Sequence, residues 1–106
     1  MSKKIEEKIK ERIIKYLSRD NTNIRKTVLN MFLNGSKFTT IDIYYYLISK
    51  KFHVSYRGVS AMVGLMNTRL GVLSITIASN HNIYSIKENY KETVKYLLEK
   101  EIKQKR

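Results

Sequence analysis

The sequence predicts a mainly α-helical domain carrying one small β-hairpin. Three observations carry that prediction. Through residue 70 the apolar residues recur at spacings of three and four, with short polar breaks between the runs. At Leu73 the rhythm changes to strict alternation, Leu-Ser-Ile-Thr-Ile-Ala, followed after a polar stretch by Ile83-Tyr-Ser-Ile86. There is no Pro and there are only four Gly, which argues for regular structure with few long loops.

The first helix is expected over residues 3–18. Ile5, Ile9, Ile13, Tyr16 and Leu17 share one side, and Lys, Glu and Arg cover the rest. So narrow a stripe suits a helix packed on one side or a helix in a dimer seam. Glu11 precedes Lys15 by four residues, an attractive pair. Residues 18–23, rich in Asp, Asn, Ser and Thr, break the helix. A second helix follows over about 23–34, with Ile24, Val28, Leu29, Met31 and Phe32 inward. Asn34-Gly35 is its expected stop, in the left-handed conformation that ends many helices.

Lys37-Phe-Thr39 is expected as a short strand. Thr39-Thr-Ile-Asp42 then opens a third helix over 40–50, with a hydroxyl cap and an acid near the positive end of the dipole. As a capping box the match is loose, because Asp stands in place of Glu or Gln. Tyr44, Leu47 and Ile48 are the expected core contacts, joined by Ile43 or Ile41. The run Tyr44-Tyr45-Tyr46 exceeds what one helical face can bury. Lys50-Lys-Phe-His-Val54 connects to the next helix, with Phe52 and Val54 plugging the space between the two.

Residues 55–70 form the central helix. Ser55 is its cap, and Val59, Met62, Val63, Met66 and Leu70 form its inward stripe. The two methionines read as packing residues that fill irregular gaps. Arg57, Ser60, Ala61, Gly64, Asn67 and Thr68 lie on the other side, a small polar face able to approach a surface closely. Gly71 ends the helix. The hairpin then runs over 73–86, with strands at 73–78 and 83–86, a turn at 79–82, and Leu73, Ile75 and Ile77 facing one way. Asn89-Tyr-Lys-Glu92 resembles a capping box for a last helix over about 90–103, striped by Tyr90, Val94, Leu97, Leu98 and Ile102. The whole chain, 1–106, reads as one domain: a central unit at about 22–87 between two flanking helices.

The formal charge is +12, from 21 Lys and Arg against 9 Asp and Glu. That exceeds the roughly 2–8 units that keep a small domain soluble. A phosphate backbone is the commonest partner rewarding such an excess. Residues 51–72 hold three basic residues and no acidic one, whereas 88–106 mix six basic with four acidic, as an ordinary solvated helix does. With no Cys there is neither disulfide nor thiolate metal site. His53 and His81 have no acid or second histidine at a metal-ligand spacing, so no metal and no cofactor is expected. No dinucleotide fingerprint, Walker lysine or nucleophile constellation is legible, and the expectation is a protein without enzymatic activity. No apolar run reaches the roughly 20 residues of a membrane span, and Met-Ser-Lys-Lys-Ile-Glu-Glu lacks the apolar core of a signal peptide. A cytoplasmic protein off the membrane is expected.

Helix, short connection, helix and hairpin in this order and spacing over residues 22–87 resemble the winged helix-turn-helix superfamily. More narrowly, the chain resembles small archaeal winged-helix proteins. The resemblance implies a winged helix-turn-helix with extra N- and C-terminal helices, acting as a double-stranded DNA-binding regulator of transcription. It implies that helix 55–70 lies in the major groove and that the hairpin touches backbone or minor groove. By that resemblance Arg57, Ser60, Gly64, Asn67 and Thr68 face DNA and Tyr56 and Arg69 flank it. Lys50, Lys51, Arg25 and Lys26 are candidates for phosphate neutralisation, and Asn80, His81 and Asn82 are the hairpin-tip contacts. The tip departs from the basic wing common in such proteins, since it holds no Lys or Arg.

A homodimer is expected through Ile5, Ile9, Ile13 and Tyr16 of the first helix and Tyr90, Val94, Leu97, Leu98 and Ile102 of the last, because each seam is too apolar to leave in water. The competing arrangement packs the two helices on each other within one chain. Two further readings remain open. A winged-helix module for protein–protein interaction or dimerisation would use the terminal helices, the tyrosine run and the uncharged hairpin tip. An RNA-binding protein would use exposed tyrosines as stacking platforms.

Overall fold

The structure, a computed structural model, describes residues 3–35 and 37–104. It is a mainly α-helical domain with a small three-stranded antiparallel sheet. In chain order the elements are α1 (Lys3–Ser18), α2 (Ile24–Asn34), β1 (Phe38–Thr39), α3 (Thr40–Ser49), α4 (Tyr56–Leu70), β2 (Leu73–Ala78), β3 (His81–Ile86) and α5 (Lys91–Gln104), the last entered through a 3₁₀ turn at Glu88–Tyr90. None of the helices described is long and apolar enough to cross a membrane.

One core gathers the inward stripes of all five helices. Ile13 and Leu17 of α1, Val28, Leu29 and Phe32 of α2, Ile43 and Leu47 of α3, and Val59, Val63, Met66 and Leu70 of α4 are buried in it. Val94, Leu97 and Leu98 of α5 close it, with α5 lying against both α1 and α2. The dimer seam inferred from sequence is therefore corrected. Ile9, Ile13, Tyr16, Tyr90, Val94, Leu97 and Leu98 are buried inside the single chain and offer no surface to a second copy. Ile5 is exposed, and the side chain of Ile102 lies outside the described residues. The physical reason is economy of apolar area: packed together, α1 and α5 remove each other's stripe from water without a partner.

The helix boundaries are made by chemistry that differs from expectation in three places. α2 is capped from outside its own N-cap. Asn23 sits in the left-handed region (φ 67°) and makes no side-chain cap bond. Instead the Asp20 carboxylate accepts from the backbone N–H groups of Arg25 (3.1 Å) and Lys26 (3.0 Å). Gly35 ends α2 in an extended conformation (φ −128°), not a left-handed one. It is small because the Phe38 ring lies over it: a Cβ there would fall 2.2 Å from Phe38 Cζ. Phe38 in turn meets Phe32 edge to face at 5.8 Å. The capping box of α3 is complete, with Asp42 N–H donating to Thr39 Oγ1 (3.2 Å) and Thr39 N–H donating to Asp42 (2.9 Å). The box expected at Asn89–Glu92 gives way to the 3₁₀ turn and a Lys91–Glu88 ion pair at 3.0 Å.

In α3 the buried positions are Thr40, Ile43 and Leu47, while Ile41 and Ile48 are exposed. Ile43 takes the place expected for Ile48, since a four-residue step keeps Ile43 and Leu47 on one line. Lys51 follows α3 in the left-handed conformation (φ 68°), letting Phe52 N–H reach back to Leu47 O at 3.0 Å. That turn aims the chain into α4.

The sheet has the order β1-β3-β2, so the central strand is the last in sequence. β1 pairs with β3 through Phe38↔Tyr84, and β2 pairs with β3 from Leu73↔Ile86 to Ala78↔His81. The hairpin turn is only Ser79-Asn80, both with positive φ (50° and 66°), as in a type I′ turn. Pairing therefore extends to His81, two residues beyond the expected strand, because this turn matches the twist of the ladder. Leu73 is buried, but Ile75 and Ile77 are exposed, Ile77 by 74%. The alternation of residues 73–78 thus continues past the edge of the core, which only Leu73 of this strand joins.

Candidate nucleic-acid interface

α4 is positioned by its ends and by its stripe. Ser55 Oγ accepts from Gly58 N–H (3.0 Å) at the start. At the finish, Gly71 is left-handed (φ 69°) and its N–H donates to Asn67 O at 3.2 Å. Val59, Val63, Met66 and Leu70 anchor the helix, and Met62 is half-buried. The outward face presents Tyr56, Arg57, Ser60, Ala61, Leu65, Thr68 and Arg69 as exposed residues, with Gly64 and Asn67 half-exposed. Nothing lies within 4 Å of a Cβ built on Gly64, so the middle of this face is open. Leu65, 51% exposed, stands among the polar residues and was assigned to neither face from the sequence. Its spacing of four from Ala61 and eight from Arg57 was the signal that located it. The Thr68 hydroxyl is turned inward and donates to Gly64 O at 2.5 Å.

The hairpin tip comes back beside the N-terminal half of α4. Asn80, His81 and Asn82 line one cleft with Tyr56 and Ser60 of α4 and with Thr39, Thr40 and Ile41 at the start of α3. The structure thus brings together five residues that the sequence singled out separately. Tyr56 is braced from below, its ring 6.1 Å from that of Tyr44 and nearly perpendicular to it. From Ile43 to Lys87 the chain carries no acidic residue, while Lys50, Lys51, Arg57, Arg69 and Lys87 are basic. α3 beyond its first turn, α4 and the hairpin therefore form a half-molecule of one sign. Lys50 and Lys51 are exposed in the connection, Lys50 with its ammonium 5.4 Å from the Tyr46 ring.

Two of the expected phosphate contacts lie elsewhere. Lys26 is buried, 3.8 Å from the Asp20 carboxylate and donating to Asn23 Oδ1 at 3.2 Å. It is an internal counter-charge for Asp20, which corrects its reading as a phosphate clamp. Arg25 stacks over the Tyr16 ring at 4.2 Å and donates to Tyr16 O at 2.8 Å. Arg69 joins Arg25 in a pocket with Arg12, Lys15 and Arg19. Thirteen residues separate Tyr56 from Arg69, about 20 Å along the helix at 1.5 Å per residue. The basic pocket and the hairpin cleft therefore occupy opposite ends of α4. Burial pushes the Tyr16 phenol up from its ordinary value of 10.0, against the opposing pull of Arg25. Among the described residues no group of three or more His, Cys, Asp or Glu side chains is placed to hold a metal ion.

A family model described as a protein of unknown function, DUF2551, matches residues 13–94. The chain belongs to the DUF2551 family. The matched span takes in the end of α1, the whole central unit and the start of α5, so it includes the hairpin cleft and every residue of the basic pocket but Arg12. A relative from Archaeoglobus fulgidus, described as an uncharacterized protein, is 39% identical over 91 residues, covering 86% of this chain and 93% of the relative. No solved structure matches the chain.

Proposed function

We propose that this DUF2551 protein is a double-stranded DNA-binding regulator of the winged helix-turn-helix type, with α4 in the major groove and the β2–β3 hairpin as the wing. The observation that carries the reading is the cleft shared by Asn80, His81 and Asn82 with Tyr56 and Ser60. Wing and reading helix would have to meet on one side of the protein for both to touch one duplex. The order helix, strand, helix, helix, strand, strand, with the first strand beside the last, supports the same reading. So does the acid-free stretch from residue 43 to residue 87, which a polyanion would reward.

Within this reading Arg57 and Asn67 are the base-reading side chains, since arginine bridges guanine O6 and N7 and asparagine pairs with adenine. Leu65 would meet a thymine methyl, and Gly64 would admit the duplex closely. Lys50 and Lys51 would neutralise backbone phosphates. Thr68, its proton spent on Gly64 O, would accept rather than donate. Any homodimer on paired half-sites would need a surface other than the α1–α5 seam. The exposed Ile75 and Ile77 of the hairpin favour the second reading, a protein-docking module.

The test is a titration of labelled duplexes from about 50 to about 200 mM salt, over which backbone binding weakens steeply. Asn67→Ala should cost about 1–3 kcal/mol of discrimination between sequences. Lys51→Gln should weaken all sequences alike and lower the salt slope by about one unit. No measurable duplex binding by the folded protein at low salt would overturn the reading in favour of protein docking.

A further inference from the structure

The chain contains fifteen Lys and six Arg, yet four of the six Arg line one pocket, together with a single Lys. Arg12 and Lys15 come from the C-terminal half of α1, Arg19 from the turn just after it, Arg25 from the first turn of α2, and Arg69 from the last turn of α4. Buried Tyr16 and Leu70 form the remaining wall. None of the five cations has a carboxylate within ion-pair distance among the described residues, and the Glu11–Lys15 pair suggested by spacing is not made. Asp20, the nearby acid, is buried and balanced by Lys26.

We propose that this pocket is a binding site for a small ligand carrying linked phosphates, and the proposal stands independently of DNA binding. Five like charges drawn from three helices and the turn after α1 repel one another, a cost the fold would shed if the site had no anion to hold. Arginine is the residue suited to phosphate because its planar fork donates two parallel hydrogen bonds. Arg25 is held ready: its guanidinium lies 4.2 Å over the Tyr16 ring with one nitrogen bonded to Tyr16 O, leaving its other donors for a ligand. A lone phosphate monoester carries only about −1.5 to −2 at neutral pH, too little to balance five cations, whereas a di- or triphosphate comes closer. Because the Tyr16 ring is buried and already carries Arg25, recognition falls on the phosphates and not on a stacked base. Arg69 sits on the same helix as the candidate reading face, so an occupied pocket would tie that helix to α1 and α2.

The experiment is an NMR titration of the full chain with pyrophosphate, tripolyphosphate and ATP at about 150 mM NaCl, where the screening length is about 8 Å and diffuse attraction is weak. We expect saturable one-to-one binding of the linked phosphates, tighter than of orthophosphate, with shifts confined to residues 12–25 and 69–70. ATP tighter than tripolyphosphate would identify a nucleotide, and the reverse an inorganic chain; either supports the site. Arg19→Gln and Arg69→Gln, both at exposed positions, should each weaken binding about tenfold, the effect of one lost charge-assisted hydrogen bond. Lys87→Gln, which removes an exposed charge outside the pocket, should leave it unchanged. Non-saturating shifts spread over the surface, or equal weakening by Lys87→Gln, would overturn the proposal. So would a folded protein that binds duplex DNA through Arg69 but takes up no pyrophosphate.

Discussion

The Asp20 carboxylate lies 3.8 Å from the Lys26 ammonium, and both side chains are buried. The same carboxylate accepts the Arg25 and Lys26 backbone N–H groups, so one acid both caps α2 and neutralises an internal lysine. Asp20→Ala should lower stability by about 2–4 kcal/mol, because it removes a cap and the carboxylate beside a buried lysine. Lys26→Met should cost less, since Asp20 would still receive two backbone bonds. Urea unfolding of the two variants checks the order; equal losses would mean that the ion pair, not the cap, dominates.

Gly35 and Gly64 should respond in opposite directions to alanine. At Gly35 the added Cβ would fall 2.2 Å from Phe38 Cζ, and that ring is held by Phe32, so Gly35→Ala should cost about 1–3 kcal/mol. Gly64 lies within α4 with open space around it, so Gly64→Ala should add about 0.5–1 kcal/mol. Thermal melts of the pair read both signs in one experiment.

Leu97 distinguishes packing within the chain from packing between chains. It is buried against the core by α5, so Leu97→Ala should lower stability by about 2–5 kcal/mol without changing the molar mass. Light scattering that showed a dimer of the parent chain falling to a monomer in the variant would return this residue to an interface.

Tyr16 makes stability sensitive to alkali. Its phenol is raised above 10.0, first by burial, so the folded state keeps the proton after the unfolded chain has lost it. Its contribution is complete below about pH 10 and is lost as pH rises through the folded value. Tyr16→Phe removes that loss. Between about pH 8 and about pH 11 the parent should therefore lose more stability than the variant, as urea unfolding at both values measures. The other seven tyrosines are common to both chains.

Much of the architecture was legible because local rules and burial agreed. The α4 stripe at Val59, Val63, Met66 and Leu70, its Ser55 cap and its Gly71 stop all lie where periodicity and capping chemistry put them. The start of the hairpin at Leu73 was legible for the same reason. Its tip was not, since Ser79-Asn80 as a two-residue left-handed turn is one of several loops such polar residues allow. Asp20 was missed as a cap because it acts from outside the usual capping position, across a turn whose shape no pattern of spacing reveals. In the candidate site, the exposed face of α4 followed from helical geometry, but the fate of each cation did not. Lys26 and Arg25 are neighbours in sequence, yet one pairs with a buried acid and the other stacks on Tyr16.

What the amino-acid order determined alone is the set of helices, the alternating strands and the excess of positive charge, because each is written in residues a few positions apart. Which apolar stripes cover one another was decided only in three dimensions. The stripes of α1 and α5 are separated by more than seventy residues, and either a second copy or the same chain could have covered them. The fold chose the same chain. By docking α1 on α4 and α5 it also drew Arg12, Lys15 and Arg19 toward Arg25 and Arg69, a convergence of charges that no local pattern contains.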